Sequence, residues 1–124
     1  MNAGTFAEGV LAIVNAQRAK VGATPLTFDA CAQAAALTWS QHMASTGSLV
    51  HNSLTPLFRC PGPAVTRAAE NIAYGGQTPS ALMSMWMNSS GHRANILDPA
   101  LHRIGIGIAT DSHGTIWATQ DFLS

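Results

Sequence analysis

The sequence predicts an α+β domain, with helices in the first two thirds of the chain and a β-hairpin near its end. Apolar residues recur at helical spacing in the N-terminal segments. In residues 104–109, isoleucines alternate with glycine and alanine, and a turn at 111–114 separates them from the apolar run 115–122. Because no linker, repeat or low-complexity tract divides these patterns, they must share one core. We therefore expect residues 1–124 to form a single domain.

The first two helices follow from apolar spacing and from residues that favour helix ends. The first is predicted over residues 6–19, and Gly22 is a suitable stop. Thr27 is predicted to cap a second, alanine-rich helix that ends at Gly47. Its buried face is predicted to comprise Ala35, Trp39 and Met43.

Residues 48–68 hold three of the six prolines and are predicted to form a long loop tied to the body. A short strand or turn is expected at 70–75. Thr78 supplies a capping hydroxyl and the following proline suits the first helical position, so a third helix should run to about Ser89. A short turn of helix is expected at 92–97. Long loops such as residues 48–68 often carry function.

The composition argues against two classes of partner. Six basic residues balance six acidic ones and only 10% of residues are charged, so we expect no nucleic-acid binding. The chain is 47% hydrophobic, yet it has no apolar run of about 20 residues, so we expect no membrane span. The first four residues lack the pattern of a secretion signal, and none is expected within them.

Cys31 and Cys60 are the two cysteines, and their surroundings match neither a zinc site nor a CxxC redox centre. Two reduced, buried thiols are one interpretation. The other is a disulfide, which would close a loop of about 30 residues and stabilise the fold by about 3.5 kcal/mol in the chain-entropy model. We predict the disulfide.

Three residues stand out as a candidate site. The motifs of zinc proteases, serine hydrolases and P-loop proteins are absent. His51 and His92 are each placed where a loop meets a predicted helix end, and Glu70 lies in a stretch too apolar to solvate a carboxylate. Two imidazoles can bind zinc, and a carboxylate can orient one of them, ligate the metal or activate bound water. The spacing alone leaves hydrogen-bonded, structural histidines as the alternative, and His42, His102 and His113 are predicted to be structural or solvated.

Several segments, in this order, resemble the CAP superfamily of cysteine-rich secretory proteins, antigen 5 and plant pathogenesis-related proteins. The bacterial branch with SCP-like domains is the nearest match. Each segment alone is weak, but together they cover nearly the whole chain. They are VNAQR (14–18), PL (25–26), HNS (51–53), AENIAYG (69–75), WMNSSGHRANIL (86–97), IGIG (104–107) and WATQDF (117–122).

The resemblance implies a three-layer α-β-α sandwich with a small antiparallel sheet and a central cleft. Family members typically place two histidines and two glutamates in this cleft, and some bind zinc through the histidines. His51, Glu70 and His92 match three of these positions. The fourth, a glutamate in eukaryotic members, falls on Ser89, so the resemblance implies that one carboxylate is lost.

The resemblance leaves three functions open, because one fold hosts many activities. The first is a non-enzymatic secreted module that binds an extracellular or cell-envelope ligand, with a divalent metal such as zinc shaping the cleft. The second is a metal-dependent hydrolase, with zinc on His51 and His92 and Glu70 as the candidate catalytic base. The third is lipid or sterol binding. Family members are mostly secreted, which favours an extracytoplasmic location and the disulfide, and we expect a monomer without an organic cofactor.

Overall fold

The computed structural model describes residues 2–124, which form a four-stranded sheet with helices on both faces. The predicted α+β class and α-β-α sandwich are confirmed. The α-helices are α1 (Ala3–Lys20), α2 (Ala30–Thr46), α3 (Pro79–Met87) and α4 (Ser90–Leu97). The strands are β1 (Thr27–Phe28), β2 (Ala68–Tyr74), β3 (Arg103–Thr110) and β4 (Ile116–Leu123), and a short 3-10 helix spans Thr55–Arg59.

The strand order is β1-β3-β4-β2, which places β2 on an edge of the sheet. The predicted hairpin is β3 and β4, and β2 pairs antiparallel with β4. The two-residue strand β1 runs parallel to β3, so the sheet is mixed and the prediction of an antiparallel sheet was incomplete. The parallel pairing arises because Thr27 and Asp29 donate their backbone N–H groups to the carbonyls of His102 and Ile104.

Side-chain caps define where the helices begin. Asn2 caps α1, and Thr78 caps α3 with a proline at the first helical position, as predicted. The prediction of Thr27 as the cap of α2 was wrong. Asp29 takes that role and accepts from the N–H of Ala32 at 2.9 Å, because Thr27 is already paired in the sheet.

Helix α2 lies directly on β3 at two glycines. A Cβ atom at Gly105 would overlap the backbone of Ala32, and one at Gly107 would overlap the backbone of Ala36. The helix therefore contacts the two glycines at positions where its own side chains are small. The prediction that Ala35, Trp39 and Met43 form its buried face was wrong except for Met43. The residues of α2 that are buried are Ala32, Ala36, Ser40 and Met43, whereas Ala35 and Trp39 are only half-buried.

The opposite face of the sheet carries the larger core, formed with α1, α3 and α4. Apolar burial of this kind supplies most of the stability of a small domain. Met83 belongs to this core and Met87 packs against it, in agreement with their prediction as core residues. The most deeply buried members include Val10, Val14, Leu82, Trp86, Ile96, Ile104, Ile106 and Phe122.

Arg18 is a fully buried cation near the end of α1. Its guanidinium donates to the carbonyl oxygens of Thr24, Ile96, Asp98 and Leu101 at 2.7 to 2.9 Å. Three of these oxygens belong to the C-terminal end of α4 and the segment that follows it. Arg18 therefore holds α4 in place, and α4 carries His92.

The predicted disulfide between Cys31 and Cys60 is present. It joins the first turn of α2 to the residue that follows the 3-10 helix. The loop that carries His51 is thereby fixed to α2. Over residues 2–124, the structure has no helix that combines the length and apolarity needed to span a membrane.

Candidate functional site

His51 and Glu70 are in direct contact at the edge strand β2. The His51 Nδ1 atom lies 3.0 Å from Glu70 Oε1, and the N–H of Asn52 donates to the same oxygen at 3.0 Å. The Glu70 side chain is 3% exposed and that of His51 is 60% exposed, so a buried acceptor holds a ring that faces solvent. When Nδ1 donates to the carboxylate, Nε2 of the neutral ring carries the free lone pair.

His92 lies on α4, three residues after the N-cap Ser89. The residue is half-buried. Burial, and then the nearby charge of His51, lower the pKa of His92 below its usual value. The two predicted histidines therefore lie close enough to interact through their charges, and the neutral form of His92 is favoured.

A polar network that the sequence analysis missed fixes α4 to the edge strand. Asn71, fully buried on β2, donates its amide to the His92 carbonyl oxygen at 3.1 Å and to Gln120 Oε1 at 3.0 Å. Asn95 donates to Asn71 Oδ1 at 2.9 Å. Buried amides whose hydrogen bonds are satisfied hold neighbouring elements in one arrangement. The backbone of His92 is therefore tied directly to the strand that carries Glu70.

Two pockets lie along the edge strand β2. One, of about 430 Å³, is bordered by Ser89, His92 and the side chains of Leu49, Tyr74 and Met85. The other, of about 360 Å³, is bordered by residues that include His51, Asn52, Glu70 and Asn95. The four residues predicted for the cleft, His51, Glu70, Ser89 and His92, thus all border this edge. Ser89 makes no side-chain capping bond to α4.

Asp121 is a buried carboxyl beside Glu70 and was not singled out from the sequence. It is directly opposite Glu70 in the β2–β4 pairing and is 1% exposed. Burial raises the pKa of Asp121 to about 9, and the adjacent Glu70 carboxyl raises it further. The position of Asp121 opposite Glu70 depends on the register between the AENIAYG and WATQDF segments, which the sequence alone does not fix. Glu70 therefore has a buried carboxyl neighbour on β4, although Asp121 itself borders neither pocket.

The ligand atoms present do not form a closed metal cage. Among residues 2–124, the one group of three potential ligands whose atoms lie within 4.8 Å of each other is Asp29, Cys31 and Cys60, and both sulfurs are in the disulfide. His51, Glu70 and His92 do not form such a group. The other three histidines are exposed, and His42 stacks on Trp39 with ring centroids 4.7 Å apart.

A sheet between helical layers, with histidines and a buried glutamate along its edge strand, is the arrangement expected of a CAP domain. The model of the cysteine-rich secretory protein family, CAP, matches residues 11–122. The chain belongs to this family.

The chain is also similar to individual known proteins. The chain is 37% identical to YkwD of Bacillus subtilis over 123 residues, which are 95% of this chain and 47% of YkwD. An extracellular protein with an SCP domain from Bacillus anthracis has the same fold, with a TM-score of 0.81 and 23% identity, over 94% of this chain and 39% of that one. An outer surface protein of Borrelia burgdorferi matches with a TM-score of 0.88 and 12% identity, over 100% and 96% of the two chains. NaASP2, solved with Zn²⁺, matches with a TM-score of 0.67 and 10% identity, over 93% and 77%.

The chain spans about half the length of YkwD and about two fifths of the Bacillus anthracis protein. These relatives therefore contain sequence that this chain does not match.

Proposed function

We propose that this protein is a secreted or cell-envelope CAP domain that binds one divalent, zinc-like cation through His51 and His92 and presents the adjoining cleft to a ligand. The observation that carries the proposal is the hydrogen bond from His51 to the buried Glu70 carboxylate. Metal-binding histidines commonly donate their other ring nitrogen to a carboxylate in this way, which fixes the tautomer and the ring orientation.

The surroundings of both histidines support this assignment. Neutral imidazole is the form that binds metal, and the lowered pKa of His92 favours it at neutral pH. Glu70 accepts two hydrogen bonds at Oε1 and buries Oε2, so it supports His51 rather than binding the metal itself. Two protein ligands leave the remaining coordination positions to water or ligand. NaASP2, a protein of similar fold, was solved with Zn²⁺, which supports the proposal. The extracellular and outer-surface neighbours support the location.

The hydrolase alternative assigns Glu70 the role of general base. A base must reach the proton of the metal-bound water with a free oxygen. Glu70 Oε1 is engaged by His51 and Asn52, and Oε2 is buried against the sheet. The arrangement therefore favours a positioning role for Glu70 over a catalytic one.

A second candidate function is binding of an apolar ligand, such as a lipid or sterol, in the pocket of about 430 Å³. Three of its residues, Leu49, Tyr74 and Met85, are apolar or aromatic and between 43% and 50% exposed. A pocket of this size with an apolar lining suits a small hydrophobic molecule. We expect Met85→Arg to weaken binding of a fluorescent fatty acid at least about tenfold. If the wild type binds no such probe, or if the variant binds it equally well, this second function is wrong.

Calorimetric titration with zinc tests the metal site. At about pH 7.5 we expect the wild type to bind one zinc ion, His51→Ala and His92→Ala to lose binding, and Glu70→Gln to bind about 10 to 100 times more weakly. At about pH 5.5 the wild type should bind more weakly, because protonation removes the lone pair that the metal needs.

His113→Ala is the matched control, since His113 lies exposed in the β3–β4 turn and should not affect zinc affinity. Circular dichroism should show that all variants and the metal-free protein remain folded, because the site does not close a structural zinc cage. If the wild type binds no zinc, or if both cleft variants bind like the control, the histidines do not form a metal site.

A further inference from the structure

The buried carboxyls of Glu70 and Asp121 form an acid pair across two strands. Residues directly opposite each other in antiparallel strands project from the same face of the sheet. Each carboxyl has one buried oxygen, Glu70 Oε2 and Asp121 Oδ1, that has no hydrogen-bond partner in residues 2–124 if both groups are ionised. A single proton placed between these two facing oxygens would give each of them a hydrogen-bond partner.

Among the residues described, no basic side chain is free to stabilise a second negative charge beside Asp121. On the β3 side, Asp121 is directly opposite Gly105, which has no side chain. Arg103, two residues from Gly105 on the same face of β3, donates instead to Asp29 and to the carbonyl oxygens of Pro61, Pro63 and Ser124. The covering helix α2 has no acidic or basic residue, and its His42 is exposed and stacked on Trp39. Arg59 of the 3-10 helix is also exposed. Among the residues described, the acid pair therefore contacts one further titratable group, which is His51 on Glu70.

We propose that Asp121 is a positioning residue: its un-ionised carboxyl donates a hydrogen bond to Glu70 Oε2, so that the pair carries one negative charge, directed through Oε1 at His51. One proton then satisfies both unpartnered oxygens. Two adjacent carboxylates in a buried site would repel each other, and burial would penalise both charges. The raised pKa of Asp121, caused first by burial and then by Glu70, agrees with this assignment.

The consequence concerns the orientation of His51. A hydrogen bond from Asp121 fixes one oxygen of Glu70, and the N–H of Asn52 fixes the other. The carboxylate therefore cannot rotate away from the imidazole. This inference deepens the proposed function of the same cleft, but its main test uses metal-free protein, so that either can fail without the other.

Infrared spectroscopy of the metal-free protein at about pH 7 detects the proton directly, since an un-ionised carboxyl has a carbonyl stretch distinct from that of a carboxylate. We expect this band in the wild type and in Glu70→Gln, and its loss in Asp121→Asn. Glu8→Gln, which alters an exposed carboxyl, is the control and should leave the band unchanged. No band in the wild type, or a band that persists in Asp121→Asn and disappears in Glu70→Gln, would overturn the assignment.

The pH dependence of stability provides a second readout. Because the pKa of Asp121 is raised to about 9 in the folded protein, the folded state keeps a proton that the unfolded state releases above about pH 4. Wild-type stability relative to Asp121→Asn should therefore fall as pH rises from about 5 to about 9. Parallel stability profiles for the two proteins would contradict the inference.

Zinc affinity distinguishes whether Asp121 acts on Glu70 as a hydrogen-bond donor or through a charge. Asp121→Asn retains an N–H donor for Glu70 and should bind zinc within about twofold of the wild type, whereas Asp121→Leu should bind about tenfold more weakly. Equal affinity in all three proteins would show that Asp121 does not position His51. If the wild type binds no zinc but the infrared band behaves as expected, the acid pair stands and the metal site fails.

Discussion

Replacing Gly107 with alanine is expected to destabilise the protein by about 3 kcal/mol or more, at the upper end of what overpacking costs. The added Cβ would overlap the backbone of Ala36, and a backbone cannot rotate away as a flexible side chain can. Helix α2 would have to move off the sheet. Trp39 would move with it, and Trp39 Nε1 donates at 2.8 Å to the carbonyl oxygen of Val50, the residue before His51.

Urea unfolding followed by circular dichroism measures this effect, with Gly91→Ala as the matched control. A Cβ at Gly91 meets nothing within 4 Å, and the residue lies in α4. The control should therefore be neutral or stabilised by up to about 1 kcal/mol, since alanine favours helices over glycine. Equal unfolding midpoints for the two variants would refute the close contact between α2 and β3.

Replacing Arg18 with methionine is expected to cost about 3 kcal/mol or more. Hydrogen bonds to a charged group contribute more than neutral ones, and buried acceptors left without a donor pay their full desolvation cost. Methionine would fill much of the volume but leave four carbonyl oxygens without the guanidinium, three of them at the end of α4 and in the segment after it. The fold should lose stability, and α4 should become less ordered.

Lys20→Met on the same helix serves as the control, because Lys20 is exposed and its loss should change stability by no more than about 0.5 kcal/mol. Thermal unfolding gives the stability of both variants. Hydrogen exchange of the α4 amides reports the local effect and should increase in Arg18→Met. If stability and exchange in Arg18→Met match the control, Arg18 does not hold α4.

The elements that the sequence predicted well are those fixed by local chemistry. Pro79 suits the first turn of α3, and alternating isoleucines produce a strand with one apolar face. The cap of α2 was missed because Thr27 and Asp29 are both good capping residues, and only the pairing of Thr27 with β3 decides between them. The buried face of α2 was missed for a similar reason. It depends on where the two glycines of β3 let the helix approach.

The residues of the candidate site also differ in whether local or long-range chemistry identifies them. His51, Glu70 and His92 were predicted because each is an unusual residue in its local surroundings and because they match a family pattern. Asp121 and Asn71 act through partners far away in the chain, opposite Glu70 in one case and beneath α4 in the other. The pairing of β2 with β4 is long-range, and no local pattern in β2 fixes its register. The second carboxyl therefore became visible only in the folded structure.

In the proposed site, His51 and His92 bind one metal ion while Glu70 holds Nδ1 of His51. Nitrogen-15 NMR of the imidazoles, recorded during zinc addition, tests it most directly, because it reports tautomer and metal binding for each of the five histidines. We expect His51 of the metal-free protein to carry its proton on Nδ1, and zinc to shift Nε2 of His51 together with one nitrogen of His92. His42, His102 and His113 should not change. A His51 ring protonated on Nε2, or zinc shifts at the three exposed histidines and none at the cleft pair, would contradict the account.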